Sequence, residues 1–270
     1  METEKTLLAE NDPAPFEARN LDSRAPLIVC CDHASNRIPE SLGRLGLPRE
    51  ALEMHIAEDI GARQVAELLA QKFNAPLLLA NYSRLVIDLN RHLGDPTLIA
   101  EESDGVAIPG NAALSHAERA RRIAEIFLPY HRCYAGMVDA LQARAARPII
   151  LALHSFSPEM RGEKRPWDFG LMWDELHAEL ARALTAGLRR HPGLCIGQNQ
   201  PYHARDPLGY AMTEYGQARG VEMALIEVRQ DRILDARGRE WAAEILHRAL
   251  VEAMEYAAED AAEGAARRAG

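Results

Sequence analysis

The chain predicts an α/β fold, a mostly parallel sheet covered by helices and built as one large domain. Three observations carry this. Short apolar runs of strand length recur along the chain, segments with helical periodicity separate most of them, and no composition shift marks a linker. With 270 residues and 47% apolar content there is enough material to bury a full core.

Taken in order, residues 1–25 are polar and irregular, and strands are expected at 27–31, 77–80, 85–89, 149–153, 194–197 and 223–228. A helix over 58–72 carries Val65, Leu68 and Leu69 on one stripe, and Asn74-Ala75-Pro76 ends it. Ser115 and Glu118 fit a capping box, opening a helix that runs toward Arg147 with a kink or break at Pro129. Asp174 caps a third helix through Arg190, and a fourth spans about 239–256. The Ala, Glu and Arg-rich end, 258–270, continues that helix or frays as a C-terminal tail, so the folded domain is expected over 26–257.

Composition removes several function classes. The formal net charge is −9 and no basic stripe offsets it, which argues against nucleic acid as a partner. No run approaches the roughly 18 apolar residues of a membrane span, and the start, Met1-Glu2-Thr3-Glu4-Lys5, lacks the apolar stretch of a signal peptide, so a cytoplasmic protein is expected. An anionic substrate must then be met by local arginines. The four cysteines show no metal-cage or redox spacing and read as reduced, buried thiols. The glycines form neither a dinucleotide fingerprint nor a phosphate loop, and Ser35 and Ser155 lack the strand-to-helix elbow of a serine hydrolase.

Four polar residues stand out because each sits where an apolar strand or a helix begins or ends. His33 follows Leu27-Ile28-Val29-Cys30-Cys31 after Asp32, His154 follows Ile149-Ile150-Leu151-Ala152-Leu153, and Glu227 follows Met223-Ala224-Leu225-Ile226. In an open α/β sheet the carboxyl ends of the strands form the ligand crevice, so these distant residues gather there. One imidazole after a strand more often satisfies buried backbone groups than binds a metal. Two, after different strands, shift the balance toward a ligand pair. Of the ten histidines, His55, His116, His177, His191 and His247 lie in helical or polar contexts and read as solvated. His92 follows a strand only after Asn90-Arg91, and His131 is a supporting group or an ordinary helix residue. A third ligand comes from Glu58-Asp59, only one of which can face the crevice squarely; the other is a first-turn acid favoured by the helix dipole. Glu227 interrupts a buried strand and needs a metal, an activated water or an ion pair with Arg229. Two imidazoles, a carboxylate ligand and a spare carboxylate make a hydrolytic zinc centre, although two histidines and a carboxylate also match non-haem iron.

Several segments in order, Cys31-Asp32-His33-Ala34-Ser35-Asn36-Arg37-Ile38-Pro39, His55-Ile56-Ala57-Glu58-Asp59-Ile60-Gly61-Ala62, Tyr82-Ser83-Arg84-Leu85-Val86-Ile87-Asp88-Leu89-Asn90-Arg91, Leu153-His154-Ser155-Phe156 and Ile226-Glu227-Val228-Arg229-Gln230-Asp231, closely resemble the N-formylglutamate amidohydrolase family. The likeness runs from about Phe16 to Leu250. It implies a three-layer α/β/α, phosphorylase/hydrolase-like fold with a mixed, mostly parallel sheet, related to metallocarboxypeptidases and cell-wall amidases. It also implies a single Zn²⁺ on His33, Asp59 and His154, favouring Asp59 over Glu58, with Glu227 as general base. The metallocarboxypeptidase His-x-x-Glu pattern is broken here by Asn36, a poor zinc ligand that supports its loop or contacts substrate. The implied activity is hydrolysis of a small N-acyl amino acid such as N-formylglutamate. Arg84 is the first candidate for holding the substrate carboxylate, Arg91 and Arg229 compete with it, and Asp88 and Asn90, on one side of a strand, position these arginines. The loop from Asp95 to Asn111 is expected as a mobile rim. The rival readings are a cell-wall or peptide amidase and a non-catalytic binding protein on the same fold.

Overall fold

The computed structural model describes residues 6–173, 178–202 and 209–269. In chain order the elements are β1 (Phe16–Arg19), β2 (Leu27–Cys31), α1 (Arg49–Leu52), α2 (Ala62–Phe73), β3 (Leu77–Ala80), and a hairpin of β4 (Glu102–Ser103) and β5 (Val106–Ala107). Then come α3 (His116–Arg122), α4 (Leu128–Arg144), β6 (Ile149–Phe156), a hairpin of β7 (Glu159–Met160) and β8 (Glu163–Lys164), β9 (Phe169–Met172), α5 (Glu179–Arg189), β10 (Ile196–Gln198), β11 (Glu222–Arg229) and α6 (Ala236–Ala269).

Among the described residues the central sheet has seven strands in the order β1-β3-β2-β6-β11-β9-β10. β3, β2, β6 and β11 run parallel, while β1 and β9 pair antiparallel to their neighbours β3 and β11. Alternate residues of each strand face opposite sides, and both sides are covered, so the parallel strands are apolar throughout. On one side Ile28, Cys30, Ile150, Ala152, Met223 and Leu225 pack against α4 through Tyr130, Tyr134, Val138 and Leu141. On the other, Leu27, Val29, Leu151, Leu153, Ala224 and Ile226 meet Val65 and Leu69 of α2, Leu184 of α5 and Leu246 of α6. This is the expected three-layer α/β/α arrangement. The chain leaves β2 for β3 on one side and later returns to β6 on the other, which makes the gap between β2 and β6 the switch point where a crevice opens.

Several local expectations change once the chain is folded. Residues 16–19, placed in an irregular segment, form β1 on the free edge of β3. Residues 85–89 form no strand. Both edges of β3 are already taken by β1 and β2, so this buried run satisfies its backbone through turns. Val86 N–H donates to Ser83 O, Asp88 N–H donates to Leu98 O, and the buried Arg122 guanidinium donates to Val86 O. Asp88 and Asn90 therefore do not share a strand face. β9 was not expected, because Gly170 dilutes a four-residue run. The strand expected at 194–197 starts at Ile196, and Cys195 before it is exposed rather than buried.

The helices follow their local signals more closely. Ser115 accepts from Glu118 N–H while the Glu118 carboxylate accepts from Ser115 N–H, completing the capping box of α3. Pro129 lacks the N–H a regular helix needs at that point, and a π-helical stretch, Ile123–Phe127, absorbs the mismatch ahead of α4. Asn74, in the left-handed conformation, closes α2. The proposed cap Asp174 lies outside the described residues. α6 runs on through the 258–270 segment as far as Ala269. Among the described residues no helix is long and apolar enough to cross a membrane.

His131 is a buried part of α4, away from the crevice: its Nε2–H donates to Leu89 O at 3.0 Å, leaving Nδ1 to accept from the Tyr215 hydroxyl at 3.0 Å. Burial pushes its pKa down to about 3, against the pull of the Leu89 carbonyl. An unfolded chain takes up this proton near pH 6.5 and the native state does not, so between those values stability is lost as pH falls, by at most about 1.4 kcal/mol per unit. Denaturant unfolding at pH 7 and pH 4.5 should therefore show a smaller acid-induced drop for His131→Gln than for the wild type.

Candidate metal centre

Parallel β2, β6 and β11 end on the same side of the sheet, and that shared direction assembles the site. His33 lies two residues beyond β2, His154 lies within the last turn of pleat of β6, and Glu227 of β11 is in register directly opposite His154. Period two puts Glu227 and His154 on the same sheet face as Leu225 and Ala152. Asp59 arrives from the loop before α2, not from the helix itself, which starts at Ala62 and has no acid in its first turn. Its N–H donates to His33 O at 3.0 Å. Gly61, with φ of +81°, then turns the chain into α2; a Cβ there would stand 2.7 Å from Ile233 O. A glycine is required on both counts.

The three expected ligands converge. His33 Nδ1 is 3.3 Å and His154 Nδ1 2.8 Å from Asp59 Oδ2, and one donor atom from each residue lies within 4.8 Å of the others. The imidazole centroids are 5.0 Å apart. Asp88 Oδ1 accepts from His33 Nε2–H at 2.8 Å, which turns Nδ1 toward Asp59. Asp88 Oδ2 accepts from Arg84 at 2.9 Å, and Arg84 also lies 3.7 Å from Asp59 Oδ1. His33, Asp59, His154 and Glu227 are all buried. Among the described residues, His154 Nε2 and Glu227 Oε2, although buried, have no hydrogen-bond partner. Buried polar atoms left in this way mark a place built for a group the chain itself does not supply.

Charge is distributed accordingly. Burial opposes ionisation of Asp59, but the two imidazoles outweigh it and hold the carboxyl well below its usual range. Burial and Arg84 both depress His33, yet Asp88 and Asp59 win and lift it to about 9. His154 is raised as well, its bond to Asp59 overcoming burial. Glu227 goes the other way from Asp59: burial dominates and pushes it up to about 7, against the pull of His154. One carboxylate is thus permanently charged and the other is poised near neutrality. Two imidazoles and a carboxylate with a histidine-orienting acid behind them fit a divalent cation of the zinc type.

The surrounding cavity is about 310 Å³ and is lined on its polar side by Arg84, Asn90 and Arg91 and on its apolar side by Ile56, Phe156, Met160, Met172, Met212 and Leu225. Arg84, Asn90 and Arg91 therefore reach the site as expected, from a turn rather than a strand. Arg229 does not: its guanidinium is taken up by Asp231, Asp168 and the Pro166 carbonyl. Asn36 is also outside, its amide donating to Leu52 O at 2.9 Å and supporting the loop. Glu58 lies outside the ligand cluster, its carboxyl raised chiefly by burial. His55, read as solvated, instead lines the cavity 3.2 Å from Asp104 of the β4–β5 hairpin, and Ser103 of that hairpin forms part of the rim. Asp88, expected only to position the arginines, has a second partner, and Tyr202 had no role in the sequence reading. Asp88 sits inside a quoted motif, and His33 as its partner becomes visible only in three dimensions. Tyr202 lines the cavity beside Glu227 without any local signal.

Comparison with known proteins adds an independent line. The family model described as N-formylglutamate amidohydrolase matches residues 25–234. A protein named N-formylglutamate deformylase from Pseudomonas aeruginosa is 27% identical over 226 residues, covering 78% of this chain and 83% of that one. A crystal structure of a gene product from Agrobacterium tumefaciens superposes with a TM-score of 0.89 at 30% identity, over 93% of this chain and 98% of that chain. The structure of N-formylglutamate amidohydrolase from Ralstonia eutropha shares the fold, with a TM-score of 0.68 at 23% identity, over 90% and 98% of the two chains.

Proposed function

Because this chain belongs to the N-formylglutamate amidohydrolase family, we propose that it is a zinc-dependent hydrolase of the amide bond in small N-acyl amino acids, with N-formylglutamate the first substrate to test. The observation that carries this reading is the convergence of His33, Asp59 and His154 within 4.8 Å, beside a buried Glu227 whose Oε2 has no partner among the described residues. The name of the Pseudomonas aeruginosa relative supports the substrate class. A cavity of about 310 Å³ suits a small molecule better than a polymer.

Zinc bound at these residues supplies Lewis acidity, polarising the amide carbonyl and making a nearby water more acidic. Glu227 takes a proton from the attacking water as its oxygen bonds to the carbonyl carbon. It then passes that proton to the nitrogen as the carbon–nitrogen bond breaks, releasing a carboxylic acid and the free amino acid. A carboxyl raised to about 7 is matched to both transfers near neutral pH. Asp88 holds His33 in orientation through Nε2. Arg91 is the better anchor for the substrate carboxylate: it lines the cavity and, among the described residues, has no carboxylate within ion-pair distance, whereas Arg84 is already shared by Asp88 and Asp59.

Purified protein should carry near-stoichiometric zinc by elemental analysis and release free amino acid from an N-formyl amino acid in a panel of N-formyl and N-acetyl compounds. Loss of that activity on chelation and its return with added zinc is the expected result. Protein free of metal after gentle purification, or inert toward the whole panel when zinc-loaded, would overturn the reading.

A further inference from the structure

We propose that Tyr202 donates a hydrogen bond to the substrate's carbonyl oxygen as negative charge develops there, making it a second catalytic residue beside Glu227. The inference rests on the amidohydrolase reading above and assigns a step that Glu227 and the metal ligands leave open.

The sheet is shaped to bring this residue in. Gly170 of β9 is in register opposite Glu227, and a Cβ on it would run into the Gln200 carbonyl. A Cβ on Gly197 of β10 would stand 2.8 Å from Gln200 Cβ and 3.0 Å from the Trp167 ring. Two adjacent strands thus lack side chains where the segment 199–202 lies across them. That segment is pinned as well: Asn199 N–H donates to Leu171 O at 2.8 Å, and Trp173 N–H donates to Asn199 Oδ1 at 3.1 Å. The chain is thereby held against the strand that neighbours Glu227, and Tyr202 lines the cavity with it.

The hydroxyl is prepared as a donor. Arg165 Nη1 donates to the Tyr202 oxygen at 3.3 Å, and the guanidinium carbon sits 5.0 Å from the ring centroid. Accepting from a cation polarises the phenol and strengthens its own O–H as a donor. Among the described residues that hydrogen has no acceptor. Burial, with Glu227 and Asp59 nearby, raises the phenol's pKa, so the proton stays in place at neutral pH.

Several other donors in the wall are engaged, and Arg91 is assigned to the substrate carboxylate. Ser155 Oγ donates to Ile60 O at 2.9 Å, Gln230 Nε2 donates to Ser155 Oγ at 3.4 Å, and Arg84 is neutralised by Asp88 and Asp59. Tyr202, 39% exposed where it lines the cavity, offers a neutral donor near Glu227 and Asp59. A prepositioned donor of this kind acts on charge that appears only in the transition state.

The test is steady-state kinetics of the zinc-loaded protein with the N-formyl amino acid it cleaves best. Tyr202→Phe keeps the ring over Arg165 and removes only the hydroxyl; kcat should fall by about 10²-fold, with KM and zinc content unchanged. Gly170→Ala displaces the 199–202 segment without altering a cavity side chain and should produce a similar kcat loss, to which Tyr202→Phe adds little in the double variant. A Tyr202→Phe enzyme with wild-type kcat overturns the inference while leaving the amidohydrolase reading standing. So does a change confined to KM, which would assign the hydroxyl to ground-state binding. A wild type inert toward every N-formyl and N-acetyl compound overturns both.

Discussion

Replacing Glu227 by glutamine is expected to lower kcat by about 10²–10⁴-fold while leaving zinc content and fold intact. The amide matches the carboxylate in size and still sits opposite His154 in the β6–β11 register, so the strand pairing is undisturbed. What it loses is the capacity to take a proton. Elemental analysis and circular dichroism of the variant should match the wild type, with turnover alone affected. The wild type also carries a pH signature. Burial favours the neutral acid and raises Glu227 to about 7, and only the carboxylate can act as base, so kcat/KM should rise with pH through an acid limb at or below that value. A bound dication favours the carboxylate and moves the limb downward. Glu227→Gln should lose the limb together with the rate. Equal cleavage by both enzymes would remove Glu227 from the reaction.

Asp59→Asn is expected to reduce zinc from near-stoichiometric to trace levels after gel filtration, and activity with it. Asp59 Oδ2 is the atom toward which both imidazoles turn, at 3.3 Å and 2.8 Å, so neutralising it removes the central anionic donor and leaves two histidines facing an amide. Asp88→Asn should be milder, weakening zinc affinity by about 10–100-fold, because it disturbs only the orientation and basicity of His33 through Nε2. Competition with a chromogenic chelator separates the two. In the wild type the same titration should show weaker zinc binding at each lower pH step below about 9, since the cation must displace the proton that Asp88 and Asp59 stabilise on His33. A variant Asp59→Asn that holds zinc as tightly as the wild type would exclude this residue as a ligand.

Much of this centre was legible in the sequence because its residues sit at the ends of strands, and strand ends leave a local trace. An apolar run that stops at His33, His154 or Glu227 says both where the strand is and which side chain meets the crevice. The choice between Glu58 and Asp59 was not local. It depended on a turn at Gly61 and on α2 starting at Ala62, which together free Asp59 from the helix and leave Glu58 aside. Arg229 was misplaced for a related reason: period two gives it the side of Glu227, but Asp168, brought in from the loop before β9, draws its guanidinium away.

The sequence by itself determined the alternating α/β order, the two histidines and the glutamate, since each follows from composition and periodicity within a few residues, while the arginine-bearing segment that meets the cavity was implied by the family resemblance. Tertiary structure alone decided that 85–89 turns instead of pairing, that Asp88 orients His33, and that Gln200 crosses two glycines ahead of Tyr202, which lines the cavity with Glu227. Those outcomes hinge on which strand edges are already occupied and on where a missing Cβ lets another segment approach. Both are set by contacts between residues tens to hundreds of positions apart, which no window along the chain contains.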